Sequence, residues 1–144
     1  EEVTSQAGAV FEMSAVGRGA AFGDIDNDGD VDVLVGNDNG RPRLLINQVD
    51  SGHHWLGVRL VGTPARRDML GARVEVVRHD GTTLWRRAHT DGSYASANDP
   101  RVHVGLGEAT EVARVRVHWP SGDVEAWSDV AIDRWTTLTV GSGQ

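Results

Sequence analysis

Five aspartates are crowded into the nine positions from 24 to 32, on both sides of a glycine. They are Asp24, Asp26, Asp28, Asp30 and Asp32. Carboxylates a few ångströms apart repel one another by up to about 4 kcal/mol per close pair at an effective dielectric constant near 20. A turn of this composition between two apolar segments therefore needs a bound cation, or it stays frayed.

The spacing of the aspartates predicts how they would hold that cation. The side chains of Asp24, Asp26, Asp28 and Asp32 and the backbone carbonyl of Asp30 occupy alternate positions of the loop. Gly29 supplies the sharp bend that lets them converge. The position that carries a bidentate Glu in an EF-hand is Val35 here, and the flanks are β-like, so a strand-loop-strand calcium site is expected.

Calcium suits this loop better than other common cations. It accepts six to eight oxygen ligands in loose geometry, whereas magnesium demands a tighter octahedron and keeps its waters. The chain has no Cys and the aspartate run has no His, which argues against zinc. At this point an acidic solvent turn without an ion remains the alternative interpretation.

Alternation of apolar and polar residues predicts short strands along the whole chain. Residues 19–47 read as an antiparallel meander with a turn at 37–40. Further strands are expected near 55–61, 73–78, 84–89, 102–106, 113–119, 124–127 and 135–140, with turns at 80–81, 91–92, 105–107 and 120–122. Seven short strands predict a β-sandwich or a small barrel. The expected fold is therefore all-β, with a blade-like calcium-loop meander at 1–51 and a sandwich of about seven strands at 52–144.

Charge and composition exclude several functions. The net charge is −7, and residues 1–51 hold ten acids against three Arg, whereas residues 52–144 hold eleven of each. Nucleic acid and anionic membranes both need a basic surface, so neither is an expected partner. No apolar run approaches the length of a membrane span. The absence of Cys excludes disulfides and thiolate catalysis.

The predicted sandwich carries two further features of interest. Alternation places several Arg and His side chains on its outer faces: Arg101, His103, Arg114, Arg116 and His118. Such a face could bind an anion, could be simply solvated, or could contact other modules. The tryptophans are expected in the core or between modules, with Trp55, Trp85 and Trp127 as alternative platforms for sugars.

Residues 17–32, Gly-Arg-Gly-Ala-Ala-Phe-Gly-Asp-Ile-Asp-Asn-Asp-Gly-Asp-Val-Asp, resemble the FG-GAP or VCBS repeat. This repeat is the calcium-bearing blade of integrin-type β-propellers, and the resemblance assigns its ligands to the five aspartates. One blade cannot bury both faces of its sheet. We therefore expect a fragment of a longer chain whose remaining propeller blades are partners, with some docking of the meander on the sandwich.

The rest of the chain is similar to the ASPIC/UnbV domain. The matching segments are 55–60, 67–74, 104–107 and 117–122. The order of the two modules is that at the C-terminal end of cartilage acidic protein-like proteins, including bacterial relatives, some of them encoded with enediyne biosynthesis.

These features together imply a non-enzymatic, calcium-binding module. It is expected in an extracellular, cell-surface or periplasmic setting, where it has a protein or glycan partner. The alternative is an enzyme or auxiliary protein of natural-product biosynthesis. No separate catalytic motif favours that alternative, but a calcium ion with an open coordination position could act as a Lewis acid.

Overall fold

The structure is a computed structural model that describes residues 2, 4–6, 8–49 and 52–144. This described part contains two short 3₁₀ helices, no α-helix, and ten β-strands in three sheets. The 3₁₀ helices are Thr4–Gln6 and Ala9–Glu12. The strands are β1 (Gly17–Gly23), β2 (Asp32–Asn37), β3 (Arg43–Leu45), β4 (His54–Val61), β5 (Arg73–Val77), β6 (Thr83–Arg87), β7 (Val102–Gly107), β8 (Arg114–His118), β9 (Val124–Trp127) and β10 (Trp135–Thr139).

The first sheet is the predicted antiparallel meander, with the order β1-β2-β3. The aspartate loop joins β1 to β2, and its two ends face each other because Gly23 pairs with Asp32. Asn39 has a positive φ in the turn after β2, which Asn tolerates better than most residues. The alternating pattern of residues 19–47 thus predicted both the three strands and their pairing.

The other two sheets form the β-sandwich, so the expected all-β fold class is confirmed. One sheet has the order β10-β4-β7 and the other has the order β6-β5-β8-β9. Strand β10 runs parallel to β4, whereas the remaining neighbours are antiparallel. None of the helices in the described part of the chain has the length and apolar character needed to cross a bilayer.

The core lies between the inner faces of these two sheets. Alternate residues of the strands point into it and are almost fully buried: Leu56, Val58, Leu60, Val74, Val76, Val102, Val104, Leu106, Val115, Val117 and Leu138. Burying each of these aliphatic side chains stabilises the fold by about 1.5 to 3 kcal/mol relative to exposure. The core forms because the two-residue period of each strand delivers an apolar side chain to the same face.

Two predicted turns are wrong. Residues 105–107 do not turn but form the end of β7, because Gly105 and Gly107 pair with Trp55 and His54 around a bulge. Residues 91–92 do not form a turn. The turn of this segment lies at residues 94–95, where the chain runs beside the meander and Ser93 accepts a hydrogen bond from the backbone N–H of Ala20. The predicted domain boundary falls between residues 51 and 52, and residues 50 and 51 lie outside the described residues.

Candidate metal site

Three of the five predicted ligands form a group that could hold a metal ion. One carboxylate oxygen from each of Asp24, Asp26 and Asp28 lies within 4.8 Å of the other two. Oxygens bound to one calcium ion at 2.3–2.6 Å are separated by at most about 5 Å, so this spread fits a single calcium shell. The donors are all hard oxygens, as calcium prefers.

Asp24 provides a second indication of a missing partner. Its side chain is 3 % exposed. Oδ2 accepts hydrogen bonds from the backbone N–H of Gly29 at 3.1 Å and from the indole N–H of Trp135 at 3.0 Å. Oδ1 is buried and has no hydrogen-bond partner among the described residues. An unpaired buried carboxylate oxygen is costly, and a bound cation would satisfy it.

Asp32 lies beside this group but has a different role. Its Oδ2 accepts from the backbone N–H of Ile25 and its Oδ1 from that of Asn47, both at 2.8 Å. It therefore joins the start of the loop to the end of β3. Each carboxylate oxygen has a second lone pair, so these bonds leave it able to bind a cation as well.

Asp30 contributes through its main chain to the loop geometry. Its backbone N–H donates to Oδ1 of Asp28 at 2.9 Å, which orients one ligand of the group. The preceding residue, Gly29, has a φ of 98°, which lets the loop bend sharply at its centre. The structure thus brings Asp24, Asp26 and Asp28 together, with Asp30 and Asp32 adjacent in supporting positions.

The electrostatics of the loop also favour a cation. Desolvation, followed by the negative charges of Asp28 and Asp32, raises the pKa of Asp26 above its ordinary value. The raised pKa indicates that the ionised loop is repulsive when no positive charge is present. A divalent ion bound by these carboxylates would offset the repulsion.

The loop packs on a layer of three rings, which we call the aromatic layer: Trp55, His103 and Trp135. These side chains share the outer face of the β10-β4-β7 sheet. The Trp55 and His103 rings are stacked with centroids 5.3 Å apart, and the Trp55 and Trp135 centroids are 5.4 Å apart. A Cβ atom built on Gly29 would overlap the Trp55 indole, so the loop backbone is in close contact with this layer.

Arg101 ties the loop to the sandwich. Its guanidinium donates to the backbone carbonyl of Asp24 at 2.5 Å and to the side-chain oxygen of Asn27 at 2.7 Å. The same group pairs with Asp99 at 2.6 Å and lies 3.9 Å from the centroid of the Trp135 ring. Of the alternatives left open for the Arg and His face, contact with another module therefore applies to Arg101 and His103, because the meander covers this part of the outer face.

The open edge of β1 is covered by the long loop between β6 and β7. The backbone N–H of Asp99 donates to the carbonyl of Phe22 at 2.9 Å, and the Phe22 N–H donates to Oδ1 of Asn98 at 3.0 Å. An uncovered strand edge presents unpaired N–H and C=O groups. The loop satisfies some of them and adds a second attachment between meander and sandwich.

Two of the cavities that border the aspartate loop contain several of its carboxylates. One of about 300 Å³ is lined by Asp26, Asp28, Asp30 and Gln48. The other, of about 540 Å³, lies between the loop and the sandwich.

The larger cavity contains a pair formed by His54 and Asp133. Nδ1 of His54 lies 2.7 Å from Oδ2 of Asp133, and Oδ1 of this carboxylate accepts the backbone N–H of Trp55 at 3.1 Å. The pair is thus held in one orientation beside the aspartate loop.

Sequence reasoning allowed a position between modules for Arg101 and for the tryptophans, but it did not identify the contacts that Arg101 and Trp135 make with Asp24. The sequence did contain an indication of a covered surface. Trp55, His103 and Trp135 lie on the face of their strands opposite to the one that carries the core residues. Aromatic side chains on the outward side of a strand indicate that another element covers them. The pattern alone does not identify that element.

A comparison with protein families gives one match. The family described as ASPIC and UnbV matches residues 62–144, which is more than half of the chain. The matched segment begins directly after β4, although β4 is the central strand of its sheet. A search of curated proteins found no match.

Proposed function

The chain belongs to the ASPIC and UnbV family, and from this premise we propose that it is a non-enzymatic calcium-binding interaction module. The ion would be held by Asp24, Asp26 and Asp28, with Asp32 and the carbonyl of Asp30 completing the shell. The bound ion would neutralise the clustered carboxylates. It would thereby stiffen the loop and fix the meander on the sandwich.

The buried, unpaired Oδ1 of Asp24 is the observation that carries this proposal. The same carboxylate contacts the sandwich through Trp135. A cation that orients Asp24 therefore also orients the group that docks on the aromatic layer. In a calcium-rich extracellular, cell-surface or periplasmic setting, even a weak site would be filled and would stabilise the fold by mass action.

The meander also leaves apolar surface for a partner. Phe22 on one face and Leu34 and Leu44 on the other are 44–50 % exposed. Exposed apolar groups on both faces of one small sheet mark a contact surface. The resemblance of residues 17–32 to an FG-GAP or VCBS repeat makes neighbouring propeller blades of a longer chain the partner that we propose.

Calorimetric titration of the chelator-stripped protein with calcium tests the proposed function. The wild type should bind one ion and melt at a higher temperature with calcium than without it. Asp26→Asn and Asp28→Asn should each weaken binding about tenfold or more, because each removes one charged ligand. Asp38→Asn is the matched control, since Asp38 is an exposed meander carboxylate paired with Arg18. No heat of binding at millimolar calcium would contradict the proposal.

One observation favours a second candidate, an enzyme or auxiliary protein of natural-product assembly. The cavity of about 540 Å³ is lined both by Asp28 and Asp30 of the loop and by His54 and Asp133. A carboxylate that fixes a histidine tautomer beside a metal is a common catalytic arrangement. If His54→Ala abolished a calcium-dependent hydrolysis of ester or glycoside probes without lowering the melting temperature, the enzymatic interpretation would replace ours.

A further inference from the structure

The outer face of the second sandwich sheet, opposite the meander, concentrates positive charge. The register of β5, β6 and β8 places several charged and aromatic side chains there, which we call the cationic face: Arg73, Glu75, Trp85, Arg87, Arg114, Arg116 and His118. In the continuous described stretch 52–144, Glu75 is the one carboxylate that this register puts on the face. The face is cationic although the whole chain carries a net charge of −7.

The single carboxylate is already neutralised within the face. Glu75 is 9 % exposed, with Oε1 3.1 Å from Arg116 and Oε2 3.3 Å from His118. The ion pairs of the described residues leave Arg73 and Arg114 without a carboxylate partner. The positive charge of these two guanidinium groups is therefore available to a ligand.

The strand pairing makes this charge unfavourable in the free protein. Arg73 lies directly opposite Arg87 on β6. Like charges directly opposite one another on neighbouring strands are destabilising. Arg87 is relieved by Asp91, with Nη2 3.0 Å from the carboxylate. Among the residues that the structure describes, Arg73 has no such carboxylate, and an external anion would provide one.

An aromatic side chain stands beside the unpaired arginine. Trp85 is 46 % exposed, and the Arg73 guanidinium lies 5.7 Å from the centroid of its ring. The centroid of the His118 ring is 5.1 Å from that of Trp85. Tryptophan offers a large flat surface that stacks on planar or ring-shaped ligands, and arginine recognises carboxylates with two parallel hydrogen bonds.

We propose that the cationic face binds an acidic glycan, with a sugar ring lying on Trp85 and a uronate carboxylate paired with Arg73. The inference gives the proposed interaction role a ligand class and rests on that role. It does not depend on the cation, because the cationic face and the aspartate loop are on different sheets of the sandwich. A short acidic glycan fits better than a long polyanion, since the aspartate loop of the same chain repels extended negative charge.

The test is a titration of the full chain, in calcium, with trigalacturonate and with neutral galactotriose, followed by tryptophan fluorescence and calorimetry. Trigalacturonate should bind and galactotriose should bind at least about tenfold more weakly. Trp85→Ala and Arg73→Gln should each weaken binding about tenfold, whereas Trp85→Phe should retain part of it. Arg59→Gln is the matched control, because this arginine is exposed on the other sheet and pairs with Asp68.

Three outcomes would overturn the inference. Equal binding of the neutral sugar would remove the role of charge, and absence of binding at about 10 mM ligand would remove the site. Tighter binding of oligothymidylate than of trigalacturonate would identify a nucleic-acid surface instead. Repeating the glycan titration in chelator separates the two proposals. If glycan binding persists in chelator and the separate calcium titration gives no heat, only the proposed function is contradicted.

Discussion

The indole N–H of Trp135 donates to Oδ2 of Asp24 at 3.0 Å, across 111 positions of the sequence. This bond joins the aspartate loop to the last strand of the sandwich. Because Asp24 is also one of the three clustered carboxylates, the contact between the two parts of the protein and the proposed cation share one side chain. Docking and calcium binding should therefore strengthen each other.

Trp135→Phe tests this coupling. The substitution keeps an aromatic ring in the aromatic layer but removes the donor, and hydrogen bonds to charged groups are worth about 1.5–3 kcal/mol. We expect a lower melting temperature in chelator and weaker calcium binding by calorimetry. Trp127→Phe, on the other sheet, should leave the calcium affinity unchanged, and an equal loss in both variants would contradict the coupling.

Asp32→Ala should destabilise the protein even without calcium. The substitution leaves the backbone N–H groups of Ile25 and Asn47 without their acceptor, at a cost of about 1–3 kcal/mol for each group that stays buried. Chemical denaturation in chelator should show this loss. Asp26→Ala should show little loss under the same conditions, because Asp26 is exposed and acts mainly towards the cation. Equal stability of the two variants would refute this division of roles.

Gly29→Ala should prevent close docking of the loop. Gly29 has a positive φ, and a Cβ atom there would overlap the Trp55 ring. The variant should lose calcium affinity and become more sensitive to proteolysis within the meander. Gly36→Ala is the control in the same sheet, since its Cβ would meet its nearest atom at 3.9 Å and its φ is not positive. Similar protease sensitivity of the two variants would argue against the loop contact.

The aromatic layer should also make stability depend on pH. Burial lowers the pKa of His103 below its ordinary value. The carbonyl of Gly29 and the negative charges of Asp24 and Asp30 oppose this shift, whereas the positive charge of Arg86 adds to it. The folded protein therefore keeps the ring neutral, and the unfolded chain binds the proton first as the pH falls. Stability from this group is present above about pH 6.5 and is lost as the pH falls through the lowered pKa.

His103→Phe isolates this contribution because it keeps a ring on Trp55 and removes the titrating group. Melting temperatures measured in chelator between about pH 7.5 and pH 5 should fall less steeply for the variant than for the wild type. Parallel curves for the two proteins would exclude His103 as the cause.

Local sequence patterns were sufficient for much of the fold. The alternation in 113–119 predicted that Val115 and Val117 point into the core, and both are fully buried. The spacing of Asp24, Asp26 and Asp28 around Gly29 predicted a carboxylate cluster, and the structure contains one. Both follow from the two-residue period of strands and from the bend that glycine permits.

Tertiary relationships could not be predicted in the same way. Periodicity shows which side of a strand Arg101 occupies, but it does not show that Asp24 and Asn27 lie above it. The Asp91-Gly92 pair favours a turn by composition, yet the chain continues towards the meander because Asn98 and Asp99 cover the edge of β1. Contacts between distant segments decide both cases.

The late position of β10 has a consequence for biosynthesis. Asp24 is translated 111 residues before Trp135, so at about 5–20 residues per second the loop waits on the order of ten seconds for its indole donor. During that interval β4 also lacks its parallel neighbour. Docking of the aspartate loop through this hydrogen bond is therefore deferred until β10 has emerged from the ribosome.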